Sequence, residues 1–272
     1  MNFAAVLGLI FSIGIGVFAI LDSTKNPKLF LNTHAIIIVI GGTATVGLLS
    51  FPFKRLFAAF GIVIRKVFGK EKNDYLGNIK QIVEIANVYR TNPKGIMQLV
   101  SKKSHPFLVD GVKMISEYGF GPEELENILD NAVVGKKKRD QEEVKVWHTL
   151  SRFPPAFGLL GATLGMIALL ETLGEPGSQD RIGPAMATSL VATFYGLMMA
   201  NLVIIPISER LAEVSASDLV LRNIIKKGIV LIAEKKHPSY IEEFLKSFLP
   251  PHMRAENGSA KKGSQQAGSR AA

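Results

Sequence analysis

The amino-acid sequence predicts an all-α, polytopic membrane protein with four transmembrane helices and a cytoplasmic helical bundle. Three observations favour this fold class. Four long apolar runs alternate with charged stretches, apolar residues repeat at helical spacing inside the largest charged stretch, and 47% of the 272 residues are hydrophobic. The mean hydropathy of +0.24 is high for a soluble domain, and charge segregated in this way is typical of integral membrane proteins.

The first two apolar runs predict a transmembrane hairpin over residues 1–53. Residues 3–21 carry no charge, and residues 30–53 contain only His34 as an ionisable side chain. Each run is long enough as a helix to cross about 30 Å of hydrocarbon. We expect the first run to be a retained span rather than a cleaved signal peptide, because no positive residue precedes it and no small-residue cleavage pattern follows it.

The third and fourth apolar runs predict a second transmembrane hairpin, residues 153–206, with a polar link at residues 175–181. Small residues recur at helical spacing in both runs: Gly158, Gly161, Gly165, Ala185, Ser189, Ala192, Gly196 and Ala200. Such faces let helix backbones approach closely inside a membrane bundle. Hydroxyl side chains accompany them at Thr163, Thr188, Ser189, Thr193 and Tyr195. Two interpretations stay open, namely helix packing within one subunit and the lining of an ion path.

Asp, Glu, Lys, Arg and His are absent from residues 153–170 and from residues 182–206. A proton relay through hydrocarbon normally needs such a group. If these helices line an ion path, we therefore expect another chain to supply the carboxylate. Glu171 lies near the outer end of its run, where we expect it to be hydrated.

The distribution of Lys and Arg predicts the orientation in the membrane, because positive residues resist translocation. Residues 22–32 carry two of them and the link 175–181 carries one, whereas residues 54–152 carry eighteen, and 207–254 together with 255–272 carry eleven. We therefore expect both links outside and both termini in the cytoplasm. The prediction has a cytoplasmic helical domain at 54–152, a cytoplasmic helical extension at 207–254 and a disordered tail at 255–272.

The apolar pattern predicts several helices inside the segment 54–152. One ends before Pro93, one runs from about Pro106 to Tyr118, one follows Pro122, and one runs from Lys136 into the third span. Proline suits the first turn of a helix, and the two glutamates after Pro122 suit the positive end of the helix dipole. These helices form the predicted bundle.

The sequence does not indicate an enzyme. It contains no GxxxxGK[ST], HExxH or GxSxG motif, no cysteine, and five scattered histidines. We expect no cofactor and no bound metal. The formal net charge of +9 does not indicate nucleic-acid binding, because no basic run is interleaved with aromatic residues, and it instead marks the cytoplasmic stretches.

Two prolines, Pro155 and Pro206, lie at the predicted cytoplasmic ends of the third and fourth spans. A proline removes one backbone hydrogen bond and favours a kink. Two interpretations stay open: a simple helix terminus, and a hinge that couples the membrane helices to the cytoplasmic ones.

Three sequence blocks in order, PPAFGLLGATLGM, IGPAMATSLVATFYG and IIPISERL, closely resemble the flagellar stator A subunits (the MotA/PomA group) of the MotA/TolQ/ExbB family. The likeness covers nearly the whole chain, including the double glycine Gly41-Gly42 of the second span. It implies a multi-pass inner-membrane subunit that forms a ring of five around two B subunits of the MotB/PomB type. In the family the B subunit supplies the channel aspartate, ion flow turns the ring, and the cytoplasmic loop pushes the rotor protein FliG.

The resemblance also implies roles for residues of the second hairpin. Pro155 and Pro206 match the coupling prolines, and Thr193 matches the channel threonine of the fourth span. Sodium-type relatives carry a threonine where this chain has Ala162, whereas proton-type relatives tend to carry alanine. The resemblance therefore favours protons as the transported ion. Sodium is the alternative if Thr163, one residue away, is the aligned position, because it would restore an oxygen ligand.

A rotor contact is implied as well. Arg90 matches the basic contact residue of the family, but the acidic contact position falls near Val100, with Lys102 and Lys103 just beyond. Complementary charge sets the register between partners, so we expect this contact to rely more on basic residues. A solvated or lipid-facing surface is the alternative for Lys102 and Lys103.

Two other functions are less compatible with the sequence than a stator. A TolQ/ExbB-like, proton-driven energiser of an outer-membrane system is the alternative within the family, but those relatives have three spans and an outside amino terminus. A secondary transporter is disfavoured by the lack of intramembrane charge and of inverted repeats.

Overall fold

The computed structural model describes residues 3–67, 69, 74–93, 95–101, 104–173 and 179–254. Helices make up nearly all of this part of the chain, and it contains no strand. The all-α prediction is therefore confirmed. The predicted tail 255–272 and the residues Lys102 and Lys103 lie outside the described residues.

Twelve α-helices follow one another in the described part of the chain. They are α1 (Phe3–Ser23), α2 (Thr33–Ile36), α3 (Gly42–Ser50), α4 (Phe53–Val67), α5 (Tyr75–Thr91), α6 (Pro106–Ser116), α7 (Pro122–Leu150), α8 (Phe153–Thr172), α9 (Gln179–Met198), α10 (Ile205–Ala233), α11 (Pro238–Lys246) and α12 (Pro251–Arg254). Short 3₁₀-helices occupy Pro27–Phe30 and Gly95–Leu99. Two π-helical segments, Ile37–Gly41 and Met199–Ile204, join α2 to α3 and α9 to α10.

Within the described residues, three helical stretches are long and apolar enough to cross a membrane, judged by length and composition: Pro27–Ser50, Pro122–Glu171 and Ile182–Ala233. The apolar stretch Ile10–Ser23 within α1 is shorter. Many large apolar side chains on these stretches are exposed, and Phe18 is 69% exposed. Contiguous apolar surface of this extent is rare on soluble proteins, so the chain is a membrane protein. The count of four spans stays a prediction.

The chain folds into two compact units. The first comprises Met1–Glu71 and Arg139–Ser215, and the second comprises Lys72–Lys138 and Ala216–Ala272. Helices α7 and α10 contribute residues to both. The predicted cytoplasmic segment 54–152 is therefore divided, because α4 and the end of α7 belong to the first unit.

The core of the second unit is built from α5, α6, α11 and the parts of α7 and α10 that belong to it. Its fully buried side chains include Ile82, Ile85, Leu108, Leu125, Leu129, Ile224, Ile225 and Ile229. Helix α7 continues from Pro122 to Leu150 without the break that was expected near Lys136. Gly135 costs only about 1 kcal/mol in a long helix, and no proline follows it until Pro154, so one helix forms where two were predicted.

Asp218 of α10 is the centre of an ion-pair cluster in the second unit. Its carboxylate lies 2.8 Å from Arg222 Nε, 3.5 Å from Lys136 Nζ and 3.6 Å from His105 Nε2. His105 Nδ1 accepts a hydrogen bond from Phe107 N, which leaves Nε2 to carry the proton that faces Asp218. Burial alone would raise the pKa of Asp218. Hydrogen bonds from His105 and Arg222, with the charges of Arg222 and Lys136, lower it well below its ordinary value.

Replacing Asp218 by Asn should destabilise the protein by about 1–3 kcal/mol, because the surrounding cations lose their counter-charge. The lowered pKa of Asp218 also determines how the stability of the protein changes with pH. The stabilisation is complete above the ordinary aspartate pKa of 3.8 and is lost as the pH falls through the lower value of the folded state. Thermal unfolding of the full chain in detergent measures both effects.

Asp110→Asn is the matched control, because Asp110 is exposed on α6 in the same unit and forms no ion pair with any described residue. It should leave the unfolding temperature unchanged. An Asp218→Asn variant that unfolds like the wild type at neutral pH would remove this cluster from the account of stability.

Candidate functional site

Helices α8 and α9 contact each other through their backbones. The glycines of α8 that face α9 are Gly158, Gly161 and Gly165. A Cβ atom added to Gly158 would lie 2.8 Å from the carbonyl oxygen of Ala192, and one added to Gly165 would collide with the Ser189 hydroxyl. Side chains larger than hydrogen would therefore push the helices apart. The small-residue face predicted for the third span packs against its neighbour in the same chain.

Gly196 of α9 makes the corresponding contact with the beginning of α8. A Cβ atom at this position would overlap the carbonyl oxygen of Pro154 and would lie 3.1 Å from the Cα atom of Pro155. Both neighbours are backbone atoms, which cannot turn away as a flexible side chain could. The contact fixes the first turn of α8 against the last turn of α9.

Thr193 forms a hydrogen bond between the two helices. Its hydroxyl donates to the carbonyl oxygen of Gly158 at 3.4 Å, and its side chain is half-buried. The hydroxyl of Ser189, by contrast, donates to Ala185 O on its own helix at 3.0 Å. Thr193 thus lies at the contact between α8 and α9, opposite Gly158.

Ala162 and Thr193 lie on the same side of the α8–α9 pair. Gly161 faces α9, and successive helical residues are rotated by about 100° about the helix axis, so Ala162 lies to one side of this contact. Phe157 lies to the other side of it. The antiparallel α9 presents Thr193 on that same side. Large apolar residues on this side are exposed, including Leu159 at 62% and Leu190 at 65%. We call this side of the α8–α9 pair the uncovered face.

Thr163 is turned further from the helix contact than Ala162. It is exposed, and its hydroxyl donates to the carbonyl oxygen of Leu160 at 2.8 Å within α8. Ala162 itself is half-buried and carries no polar atom on its side chain. Helix periodicity therefore places Ala162 on the side of the pair that carries Thr193, whereas Thr163 points away from the helix contact.

The opposite side of the pair is covered by the second apolar run. Phe157 of α8 packs so closely on Gly42 that a Cβ atom there would overlap its ring. Ile38, in the π-helical segment before α3, lies 3.6 Å from a Cβ atom placed on Gly161. The hydroxyl of Tyr195 donates to the carbonyl oxygen of Phe30. One side of the α8–α9 pair is thus packed against the same chain, whereas the uncovered face carries large apolar side chains that no described residue covers.

Pro155 and Pro206 occupy different kinds of helix junction. Pro155 lies in the first turn of α8, after a break at residues 151–152. Backbone N–H groups in a first turn have no partner within the helix, so the missing N–H of the proline costs no hydrogen bond there. Pro206 is exposed and is the second residue of α10, which begins where the π-helical segment Met199–Ile204 ends. A proline ring clashes with the carbonyl four residues earlier, and wider π turns relieve such a clash. The helix therefore continues past Pro206 instead of ending there.

Residues proposed for the rotor contact are only partly described. Arg90 lies in the last turn of α5, is exposed, and forms no ion pair with any residue that the structure describes. Val100 is half-buried. Lys102 and Lys103 are outside the described residues, so their role stays a prediction.

Sequence reasoning did not find three features of this site. They are the two π-helical segments and the hydrogen bond from Tyr195 to Phe30. Pro206 was a usable signal for the π-helical segment before it, because its ring demands extra room one turn earlier. No comparable signal marks Ile37–Gly41. Among the described residues, no group of three or more His, Asp and Glu side chains could hold a metal ion.

Comparison with known proteins gives the same family as the sequence blocks. Residues 100–224 match the model of the MotA/TolQ/ExbB proton channel family. Motility protein A of Cereibacter sphaeroides is 30% identical over 247 residues, which cover 89% of this chain and 93% of that protein. Chemotaxis protein PomA of Vibrio alginolyticus is 27% identical over 256 residues, which cover 94% of this chain and 98% of that protein.

Two solved structures share the fold. The flagellar MotAB stator complex from Bacillus subtilis matches with a TM-score of 0.81 at 23% identity, covering 93% of this chain and 98% of that chain. The structure of C. jejuni MotAB also matches with a TM-score of 0.81, at 22% identity, covering 92% of this chain and 97% of that chain. The fold and the near-complete sequence coverage agree, and the chain belongs to the MotA/TolQ/ExbB proton channel family.

Proposed function

We propose that this chain is the ion-conducting A subunit of a bacterial flagellar stator, which couples ion flow across the inner membrane to torque on the rotor. One observation carries the proposal. The α8–α9 pair is packed backbone to backbone, is covered on one side by the same chain, and presents on its uncovered face a threonine at the helix contact. The relatives named above are motility proteins, which supports a stator over a TolQ/ExbB-like energiser.

A partner chain with a carboxylate completes the ion path in this proposal. The apolar parts of α8 and α9 contain no Asp, Glu, Lys, Arg or His within residues 153–170 and 182–206. Ionisable groups in hydrocarbon normally mark proton routes, so one must come from elsewhere. The structures with the same fold are MotAB complexes, which supports a B subunit of the MotB/PomB type as the source of the channel aspartate.

Several copies of this chain enclose that partner in the proposal. The exposed apolar side chains beside Ala162 and Thr193 need a covering of lipid or protein. Five copies around a B dimer, with both termini in the cytoplasm, is the arrangement that the family resemblance implies. In that arrangement the uncovered face lines the ion path.

The proposed rotor partner is FliG. Arg90 supports this assignment because it is exposed and unpaired among the described residues, so its charge is available to an acidic partner surface. Lys102 and Lys103 extend the basic character in the sequence. Pro155 and Pro206 are the proposed coupling positions. Pro155 lies where α8 begins, and Pro206 lies just after the π-helical segment that joins α9 to α10.

Protons are the proposed transported ion. Ala162 shares the uncovered face with Thr193 and supplies no oxygen ligand, and the hydroxyl of Thr163 is engaged with Leu160 O. A hard cation such as sodium requires several oxygen ligands, which this face offers sparsely. Sodium remains the alternative ion.

The proposed function is tested by complementation. The chain is expressed with its B subunit in cells that lack their own stator, and swimming is recorded. We expect restored swimming. If the two proteins assemble in the membrane and the flagella stay paralysed, the stator assignment is wrong.

Replacing Thr193 by Val should lower ion flux through the complex about two- to tenfold, because one hydroxyl is removed while side-chain volume is kept. Flux is measured in vesicles with a pH-sensitive dye. Thr193→Ser is the matched control and should retain most of the flux. Normal flux in the Val variant, at an unchanged amount of protein, would exclude Thr193 from the ion path.

Replacing Gly196 by Ala should destabilise the protein by about 1–3 kcal/mol, because the new methyl group meets the backbone of α8. Thermal unfolding in detergent measures the change. Gly183→Ala is the control, since no heavy atom lies within 4 Å of a Cβ atom at that position. Equal stability of the two variants would contradict the backbone contact between α8 and α9.

Proton coupling predicts that swimming speed stays constant when external sodium is replaced by potassium at fixed pH, and that it falls when a protonophore is added. Speed of tethered or swimming cells measures both. A speed that rises with sodium concentration at constant proton motive force would favour the alternative ion.

A further inference from the structure

Helix α4 begins directly where the second apolar run ends. Helix α3 ends at Ser50, Phe51 is extended, and the backbone N–H groups of Arg55 and Leu56 donate to Pro52 O at 2.9 and 3.1 Å. The side chain of Leu56 reaches back to Gly47, where its Cδ atoms would lie 3.7 and 3.9 Å from a Cβ atom added to that glycine. Helix α4 therefore starts directly after Pro27–Ser50, a stretch long and apolar enough to cross a membrane.

One face of α4 is buried inside the first unit. Its buried residues Leu56, Ala59, Val63 and Val67 repeat at helical spacing. They belong to a core cluster with residues of α7 and α10, including Trp147 and Leu211. This packing fixes the rotation of α4 about its own axis.

A second apolar face of α4 is exposed. Phe53 is 63% exposed, Phe57 59%, Phe60 51% and Ile64 68%. Their spacing of four, three and four residues places them in one stripe along the helix, beside the buried face. This set is the exposed stripe. A typical surface helix of a soluble protein has a polar face here, so the exposed stripe requires an apolar environment.

All four charged residues of α4 are basic. Arg55 forms an ion pair with Glu142 at 3.0 Å. Lys66 contacts Asp140 and Glu143, each at 2.7 Å. Burial lowers the pKa of Lys66, but these two carboxylates raise it by more, so the net pKa lies above its ordinary value. These two cations are used inside the unit.

Lys54 and Arg65 are the other two basic residues of α4. Both are exposed, and neither forms an ion pair with any residue that the structure describes. They are eleven residues apart, which is three helical turns and about 16 Å, so they point in nearly the same direction. On the surface of α4, Lys54 and Arg65 lie next to the exposed stripe and on the side opposite the buried face. The arrangement is an apolar stripe with two unpaired cations along one edge.

We propose that α4 lies in the cytoplasmic membrane interface and selects anionic phospholipids, with the exposed stripe among the acyl chains and Lys54 and Arg65 on the phosphates. Interfacial helices have this combination of aromatic and basic residues. The start of α4 at the end of a membrane helix places the stripe at the required depth, and the excess of positive charge complements anionic headgroups. The inference rests on membrane insertion and not on ion conduction, so either can fail without the other.

Tryptophan fluorescence tests the proposal. Trp147 is the single tryptophan of the chain and is buried behind α4, so the double variant Trp147→Phe, Phe57→Trp moves the fluorophore onto the exposed stripe. The full chain is reconstituted in vesicles that contain brominated phosphatidylcholine or brominated phosphatidylglycerol. We expect brominated acyl chains to quench the tryptophan at position 57. The anionic lipid should quench more strongly at equal mole fraction.

Charge variants test the lipid selectivity. Each basic residue at an anionic surface corresponds to about a fivefold preference, so Lys54→Gln should reduce the preference for the anionic lipid by about that factor. Lys137→Gln is the control of equal charge change, because Lys137 is exposed on α7. It should leave the preference unchanged. Ile64→Trp in the Trp147→Phe background is the second reporter if Phe57→Trp does not fold.

Three results would overturn the proposal. Red-shifted emission without quenching would place the exposed stripe in water. Blue-shifted emission without quenching by brominated lipid would place it against protein, such as a second copy of this chain. Equal quenching by the two lipids in the parent double variant would show that the helix lies in the interface without selecting anionic headgroups.

Discussion

The close approach of α8 and α9 is the contact on which the rest of the first unit depends. A hydrocarbon environment offers no hydrophobic driving force for helix association, so the helices associate through tight packing of small residues. Gly158 and Gly196 allow this because a Cβ atom at either position would meet backbone atoms of the other helix. The same contact places Thr193 within hydrogen-bonding distance of α8. The position of the candidate ion-path residue is thus a consequence of the packing.

The two sides of this helix pair differ in what covers them. One side is filled by Phe157 against Gly42 and by Tyr195, whose hydroxyl binds the carbonyl of Phe30. The uncovered face carries Ala162 and Thr193, with exposed apolar residues around them. The apolar parts of both helices lack Asp, Glu, Lys, Arg and His, and a proton route through hydrocarbon normally contains such a group. This composition agrees with the proposed partner chain, and the structures that share the fold are MotAB complexes.

Much of this architecture was predictable from local sequence rules. The helical spacing of Leu125 and Leu129, and the prolines that open α6 and α7, led to correct helices because these signals act within a few residues. The π-helical segments and the division of residues 54–152 between two units were not predicted. They depend on contacts between distant parts of the chain, such as α4 with Trp147, which a single sequence does not reveal. Helix α4 shows this best, because its two apolar faces differ only in what covers them.

Ion flux measured with purified components is the most direct test of the central claim that the α8–α9 pair conducts only when another chain supplies a carboxylate. The chain is reconstituted in vesicles alone and together with its single-span partner, and proton uptake is followed after an imposed membrane potential. The account predicts background flux from the chain alone, and flux from the pair that is lost when the partner's intramembrane carboxylate is replaced by an amide. Equal flux with and without the partner would contradict it.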